Sequence, residues 1–206
     1  MSQTDNTVFI VDDDPAVRDA LGLLLSLRGY RTAFFADGTD FLRACSRELR
    51  GCLLLDIRMP GMDGLTLQKA LREQGCDLPV IIITGHGDVD SARDAFRSHA
   101  VDFLEKPLQE ESLVNAIEEA LARCARSDHR RRANAEYARR YASLTPRERE
   151  VMDLVVAGRH NREIAETLGI SARTVEVHKA RVMDKLDAAS VAELVRRHLQ
   201  NEAGED

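Results

Sequence analysis

Apolar runs in the first half of the chain end four times in a charged or hydroxylic side chain. Asp12-Asp13-Asp14 follows residues 8–11, Asp56 follows residues 52–55, Thr84 follows residues 80–83, and Lys106 stands just past residues 101–104. If those runs are neighbouring parallel strands, all four groups meet at the carboxyl edge of one sheet, where open α/β sheets bind their ligands. Carboxylates crowded at one edge repel one another and call for a cation, and hard oxygen ligands with room for water suit Mg2+. A lysine beside a hydroxyl and a carboxylate can then hold one phosphoryl oxygen while the metal holds another, which is what phosphoryl transfer demands electrostatically. Any one Asp or Thr at a strand end reads as a cap or turn; the coincidence of four points to a site.

A second set of residues suits a surface rather than a reaction. Within residues 161–186, Ile164, Ala165 and Leu168 are spaced for the inner face of one helix, Gly169 for a turn, and Val175, Val182 and Leu186 for the inner face of the next. The opposite face of the second helix carries Arg173, Thr174, Glu176, Val177, Lys179, Ala180 and Arg181. A helix-turn-helix unit lays its second helix in the major groove while the first braces it. Alone, Lys179 and Arg181 read as a solvated helix face; within this plan they read as contacts to DNA.

The elements that must position these residues follow from periodicity. Strands are predicted at residues 8–11, 32–35, 52–55, 80–83 and 101–104. Between them, Val17, Leu21, Leu24 and Leu25, then Leu65, Leu67 and Leu71, then Ala92, Ala95 and Phe96, recur at helical spacing. That predicts a doubly wound α/β domain with a five-stranded parallel sheet over residues 5–121. Asp14 is read as the cap of the helix through Val17. Residues 109–141 contain neither Pro nor Gly, and their apolar stripe of Leu113, Ile117, Leu121 and Cys124 fades after Arg126. Residues 122–142 are therefore expected as a helical linker, either prolonging the last helix of the first domain as a rod or partly frayed. An all-α domain of four helices is predicted over residues 143–201. Thr145, Asn161, Ser171 and Ser190 are its expected starts, Gly158 and Gly169 two of its stops, and Val191, Leu194, Val195 and Leu199 one face of its last helix.

Bulk properties agree with two domains and narrow the setting. The length of 206 residues exceeds the commonest single-domain size of roughly 100–150 residues. The net charge of −6 hides an uneven distribution, with 21 acids against 12 bases in residues 1–121, nine arginines against three acids in 122–149, and 8 bases against 11 acids in 150–206. Overall charge thus gives no argument for nucleic-acid binding, and the motif has to carry it. No apolar run approaches the roughly 18 residues of a membrane span, so the chain is expected to be cytoplasmic and free of membrane partners. Cys45, Cys52, Cys76 and Cys124 lie far apart with no CxxC spacing and read as small reduced hydrophobes.

Val11-Asp12-Asp13-Asp14, Leu55-Asp56-Ile57-Arg58-Met59-Pro60-Gly61-Met62-Asp63-Gly64, Ile83-Thr84-Gly85-His86-Gly87-Asp88 and Phe103-Leu104-Glu105-Lys106-Pro107 resemble the CheY-like receiver domain over nearly all of residues 5–125. The resemblance implies that Asp12 and Asp13 hold Mg2+, with Asp13 the more direct ligand. Asp56 is then the phospho-acceptor and the backbone carbonyl of Arg58 completes the metal shell. Thr84 matches the hydroxyl that moves to the phosphoryl group, Lys106 the group that pairs with it, and Phe103 the aromatic switch. The Lys106–Pro107 bond is expected to be cis. His86 reads as a loop residue that affects signalling.

Leu144-Thr145-Pro146-Arg147-Glu148-Arg149-Glu150-Val151 together with Thr174-Val175-Glu176-Val177-His178 resembles the LuxR-type domain of the NarL/FixJ regulators over roughly residues 143–200, nearest to the FixJ branch. By family position Glu176, Val177 and Ala180 face base edges, Arg173, Thr174, Lys179 and Arg181 hold phosphates, and the last helix, from Ser190 to Gln200, pairs two copies. His178 is expected to pack within the domain. The resemblance implies a two-component response regulator, not an enzyme: a sensor histidine kinase phosphorylates it, phosphorylation drives homodimerisation, and the dimer binds promoter DNA, engages RNA polymerase and activates transcription. In that branch, pairing runs through the helix around Ala92 and Phe96, the fifth strand and the helix after Gln109. Two other readings compete. A dedicated aspartyl-phosphate hydrolase would need a second carboxylate two residues after Asp56, where Arg58 stands. A constitutive DNA binder would leave the acidic site without a purpose.

Overall fold

The computed structural model describes residues 6–46, 48–85 and 100–202. The chain divides after Asp128 into two compact units. In the first, β1 (Thr7–Val11), β2 (Arg31–Phe35), β3 (Gly51–Asp56), β4 (Val80–Thr84) and β5 (Asp102–Glu105) form one parallel sheet in the order β2-β1-β3-β4-β5. Every residue of β3 and β4 is buried, whereas the edge strands β2 and β5 are partly exposed. A parallel sheet covered on both faces needs continuous apolar runs rather than alternation, which is why those two strands read as they do.

Alternate residues serve two cores. Phe9, Val11, Leu53, Leu55, Val80 and Ile82 pack with Phe41 of α2 (Gly38–Ala44) and with Leu67 and Leu71 of α3 (Gly64–Glu73). Val8, Ile10, Cys52, Leu54, Ile81 and Ile83 pack with Leu21 and Leu25 of α1 (Pro15–Leu27) and with Leu113, Ala116, Ile117 and Ala120 of α4 (Glu110–Ala142). Asp14 caps α1 as expected, accepting from Ala16 N at 2.8 Å ahead of Pro15. Asp63 caps α3 in the same way, through Thr66 N at 2.7 Å. The expected helix around Ala92, Ala95 and Phe96 lies outside the described residues, as does His86.

Helix α4 runs 33 residues without a break, so the stretch read as a linker continues the last helix of the first unit. Its hold on that unit extends to Asp128. The Gly51 N–H donates to Cys124 Sγ at 3.4 Å, and Arg50 Nε lies 2.5 Å from Asp128 Oδ2.

The second unit comprises the end of α4, α5 (Pro146–Val156), α6 (Asn161–Leu168), α7 (Ala172–Lys185) and α8 (Val191–Glu202) around Leu144, Val151, Met152, Ile164, Val175, Val182, Leu186 and Leu194. Thr145 and Glu148 form a capping box at the start of α5, with Glu148 N to Thr145 Oγ1 at 3.3 Å and Thr145 N to Glu148 Oε2 at 2.8 Å. The reading of Asn161 as the cap of α6 is corrected. His160 is the cap residue, its N–H donates to Glu163 Oε2 at 2.8 Å, and Asn161 is already helical and accepts from Lys179. The turn between α6 and α7 has Gly169 at φ 64°, a left-handed conformation that costs glycine least. Of the apolar residues read on one face of α8, Leu194 is buried and Leu199 is half exposed. Part of that helix is covered by Tyr137 and Tyr141 of α4, which join the core instead of remaining on a bare rod. Tyr137 Oη lies 2.9 Å from His198 Nδ1, and Tyr141 stacks on the His198 ring. Among the described residues, no helix is long and apolar enough to cross a membrane.

Candidate functional site

Strand register gathers the first set of residues. Val11 pairs with Leu55, Asp56 with Ile83, and Thr84 with Glu105. Asp12, Asp56, Thr84 and Lys106 therefore lie within about one residue of a common edge. The strand order reverses between β1 and β3, which opens a crevice at their carboxyl ends. Asp12, Asp56 and Thr84 are all buried there.

Lys106 Nζ lies 2.8 Å from Asp12 Oδ2 and 3.0 Å from Asp56 Oδ1, one ammonium shared between two carboxylates. The Lys106–Pro107 bond is cis, and Lys106 N donates to Thr84 O at 2.8 Å. Burial disfavours the lysine's charge, but the hydrogen bonds and charges of Asp12 and Asp56 outweigh it and hold Lys106 above the usual range. Burial likewise pushes the Asp56 carboxyl up, against the pull of Lys106 and of the Arg58 N–H. Asp12 is fixed from its other side: Oδ1 accepts from Asp14 N at 2.9 Å, and its carbonyl accepts from Arg18 at 2.6 Å. The backbone passes close behind the site. A Cβ at Gly64 would lie 2.3 Å from Asp56 O, so only glycine lets the start of α3 approach β3 as it does.

The remaining residues of the set are placed less centrally. Asp13 and Arg58 are exposed, and the Arg58 backbone meets Asp56 through its N–H. Phe103 is half buried in β5, against the core shared with α2 and α3. Among the described residues, no three His, Cys, Asp or Glu side chains gather around one point as a ready-made metal cage. The donor chemistry nonetheless fits Mg2+, which is held through one or two carboxylates and keeps several waters. Asp12, Asp13 and Asp56 against Lys106 leave a local charge of −2 for a divalent cation to balance.

In the second unit, α7 buries Val175 and Val182 and exposes Arg173, Glu176, Val177, Ala180 and Arg181. Val177 is 45% exposed, unusual for a large apolar side chain on an otherwise charged helix face. Thr174 and Lys179 are half buried and engaged within the unit, Thr174 with Ser171 at 2.8 Å and Lys179 with Asn161 at 3.3 Å. His178 is half buried, its Nδ1 enclosed. Sequence reasoning missed what anchors the far end of α7: Lys185 Nζ lies 2.7 Å from Glu148 Oε2, a carboxylate 3% exposed, and 3.1 Å from Ser143 O. The only trace of this in the sequence is the Thr145/Glu148 capping spacing, which predicts the cap but not the lysine.

Comparison with known proteins covers both units. Residues 8–118 match the response regulator receiver domain family, and residues 142–198 match the luxR family of bacterial regulatory proteins. The chain is 42% identical over 193 residues to the transcriptional regulatory protein FixJ of Bradyrhizobium diazoefficiens, covering 94% of each. It is 46% identical over 191 residues to the tetrathionate response regulatory protein TtrR of Salmonella typhimurium, covering 93% of this chain and 91% of that protein. Among solved structures, the response regulator StyR superposes with a TM-score of 0.83 at 39% identity, covering 95% of this chain and 99% of that one. Full-length FixJ from B. japonicum gives 0.57 at 41% identity, covering 96% and 98%.

Proposed function

The chain belongs to the NarL/FixJ family of two-component response regulators, and from that premise we propose that phosphorylation of Asp56 by a sensor histidine kinase switches its second unit into a DNA-bound dimer. The reading places a receiver at residues 5–121, a helical connector at 122–142 and the DNA-binding domain at 143–201. The protein acts as a transcriptional regulator in the cytoplasm, an activator that engages RNA polymerase, and not as an enzyme on external substrates.

The observation that carries the reading is the single Lys106 ammonium between two buried carboxylates. An Asp56 oxygen attacks the phosphorus of the donor, the bond from phosphorus to the donor's imidazole nitrogen breaks, and the imidazole leaves with the electron pair. Lys106 stays at hydrogen-bond distance and offsets negative charge on the product, while the Thr84 hydroxyl, one strand over, takes a phosphoryl oxygen. Asp12, Asp13, Asp56 and the Arg58 carbonyl would hold Mg2+, which when bound would neutralise charge on the phosphoryl oxygens. Arg58 also weighs against a phosphatase, since the position two residues past Asp56 holds a cation rather than a second acid.

On DNA, Glu176, Val177 and Ala180 meet base edges, the glutamate accepting from cytosine and the apolar groups touching a thymine methyl. Arg173, Thr174, Lys179 and Arg181 hold phosphates. Lys179 reaches them by exchanging its bond to Asn161, and α8 pairs the two copies.

Incubating the full chain with acetyl phosphate and Mg2+ tests the site. The account expects one phosphoryl group on Asp56, located by peptide mass spectrometry, and none on the Asp56→Asn variant. Equal labelling of that variant overturns the assignment.

A further inference from the structure

Every polar atom of Asp12 helps to hold the turn between β1 and α1. Its N–H donates to Phe35 O at 3.3 Å, its Oδ1 accepts from Asp14 N at 2.9 Å, its Oδ2 accepts from Lys106 Nζ at 2.8 Å, and its carbonyl accepts from Arg18 Nη1 at 2.6 Å. The next residue has no such hold on its side chain. Asp13 is exposed, and among the described residues its carboxylate makes no hydrogen bond or ion pair. A peptide group is planar, so fixing the Asp12 carbonyl fixes the direction in which the chain enters Asp13.

Arg18 is an unexpected donor to that carbonyl. It stands near the start of α1, four residues after Asp14, five after Asp13 and one before Asp19. An acid and an arginine four apart on a helix are spaced to pair. Yet the half-buried Arg18 makes no ion pair among the described residues, and its side chain gives its hydrogen bond to a neutral carbonyl. Beside carboxylates that bind a divalent cation, its charge opposes the metal. What Arg18 can contribute there is geometry.

We propose that Arg18 is a positioning residue for the cation site: by clamping the Asp12 carbonyl it sets the Asp12–Asp13 peptide and so orients Asp13 for Mg2+, an inference that rests on Asp12, Asp13 and Asp56 being the ligands. Arg18 itself touches neither the metal nor the phosphoryl group. It belongs with the groups that orient a metal's ligands, whose removal costs about 10- to 100-fold in affinity. Without the clamp, Asp13 spends most of its time in orientations that do not bind. Occupancy of the site falls, and the chemistry of the occupied site is unchanged.

Mn2+ binding to the unphosphorylated full chain, read from the EPR signal of the free ion and competed with Mg2+, tests this apart from phosphoryl transfer. Arg18→Met removes the hydrogen bond together with the charge and weakens Mn2+ binding about tenfold, the lower end of the range for such groups. Arg18→Lys keeps the charge without the planar fork and falls between Arg18→Met and the wild type. During labelling by acetyl phosphate, Arg18→Met needs more Mg2+ for half-maximal rate by the same factor, while its rate at saturating Mg2+ stays within about twofold. Damage to the fold would lower the saturated rate as well. Should Arg18→Met unfold, Arg18→Lys must still weaken Mn2+ binding. Variants that bind Mn2+ as tightly as the wild type, or more tightly, overturn the proposal, as does a loss confined to the saturated rate. The control is Asp13→Asn. If the wild type binds no Mn2+, or binds it equally well after Asp13→Asn, the metal reading fails and the proposal with it; if Asp13→Asn weakens binding and the Arg18 variants do not, only the role of Arg18 is lost.

Discussion

Lys106 reaches Asp12 at 2.8 Å and Asp56 at 3.0 Å although 94 and 50 positions separate it from them. The contact spans the sheet from β1 through β3 and β4 to the end of β5, so the lysine is both the counter-charge of the site and a tie between its strands. Lys106→Ala leaves two buried carboxylates facing each other. Because Lys106 is 25% exposed, the cost stays below that of a fully buried pair, about 2 kcal/mol. Hydrogen exchange of the β3 and β4 amides reads it separately from the helical unit. Labelling by acetyl phosphate slows at the same time. An unchanged labelling rate contradicts the role assigned to the lysine.

Gly64→Ala tests how the backbone places Asp56. Its Cβ would lie 2.3 Å from Asp56 O and 3.0 Å from Ile57 Cα, and neither atom belongs to a side chain that can move aside. A displacement approaching 1 Å at a reacting group costs on the order of 100-fold, so phosphorylation falls between tenfold and a hundredfold while the C-terminal unit keeps its melting behaviour. A rate within twofold of wild type means that the close approach does not position the carboxylate.

Glu148 gives the second unit its own acid sensitivity. The Lys185 hydrogen bond, with Thr145 N–H, lowers its carboxyl to about 2 against the opposing effect of burial. A folded pKa below the ordinary value of 4.5 means stability fully present above that value and lost as pH falls from about 5 towards 2. Glu148→Gln removes about 1.5–3 kcal/mol at neutral pH, the range for hydrogen bonds to a charged group. The variant and the parent converge near pH 2. Hydrogen exchange of α5 and α7 across that range reads the difference, and a gap that persists at the acid end contradicts the cause given.

Two neighbours on α7 separate packing from recognition. Val175 is fully buried and Val177 is 45% exposed. Val175→Ala destabilises the unit by about 2 kcal/mol through the cavity it leaves, whereas Val177→Ala changes stability by less than about 0.5 kcal/mol yet weakens operator binding. Arg173→Ala lowers affinity alike for all DNA sequences and reduces the salt slope by about one. Heat denaturation together with salt titrations of binding distinguishes the three variants; a Val177→Ala protein that binds as the parent does removes that residue from the interface.

Much of the first unit was legible because its signals are local. Continuous apolar runs ending in Asp12, Asp56 and Thr84 specify both the buried strands and the edge where those residues meet. Asp14 and Thr145 announce their caps within three residues. What escaped depends on distance or brevity. Helix α2 buries a single large side chain, Phe41, too little for a periodic pattern. Glu148 and Lys185 are 37 positions apart, so their pairing leaves no trace in spacing. Asn161 has the side chain of a cap, but Glu163 reached the His160 N–H instead and left Asn161 to Lys179. The length of α4 was open because its propensity favours a helix throughout while its apolar stripe stops early; Tyr137 and Tyr141, packed beside His198, give the later half a core to hold.

The central claim is that the state of Asp56 sets the DNA affinity of the second unit, and one titration addresses it. The full chain is titrated onto an operator fragment recovered by in vitro selection, with Mg2+ at fixed salt, with and without beryllofluoride as the phosphoryl mimic. Couplings of this kind span about 5- to 150-fold. The account predicts a gain of at least about tenfold for the wild type, inside that range, and none for Asp56→Asn. Equal affinity with and without the mimic in the wild-type protein would contradict it.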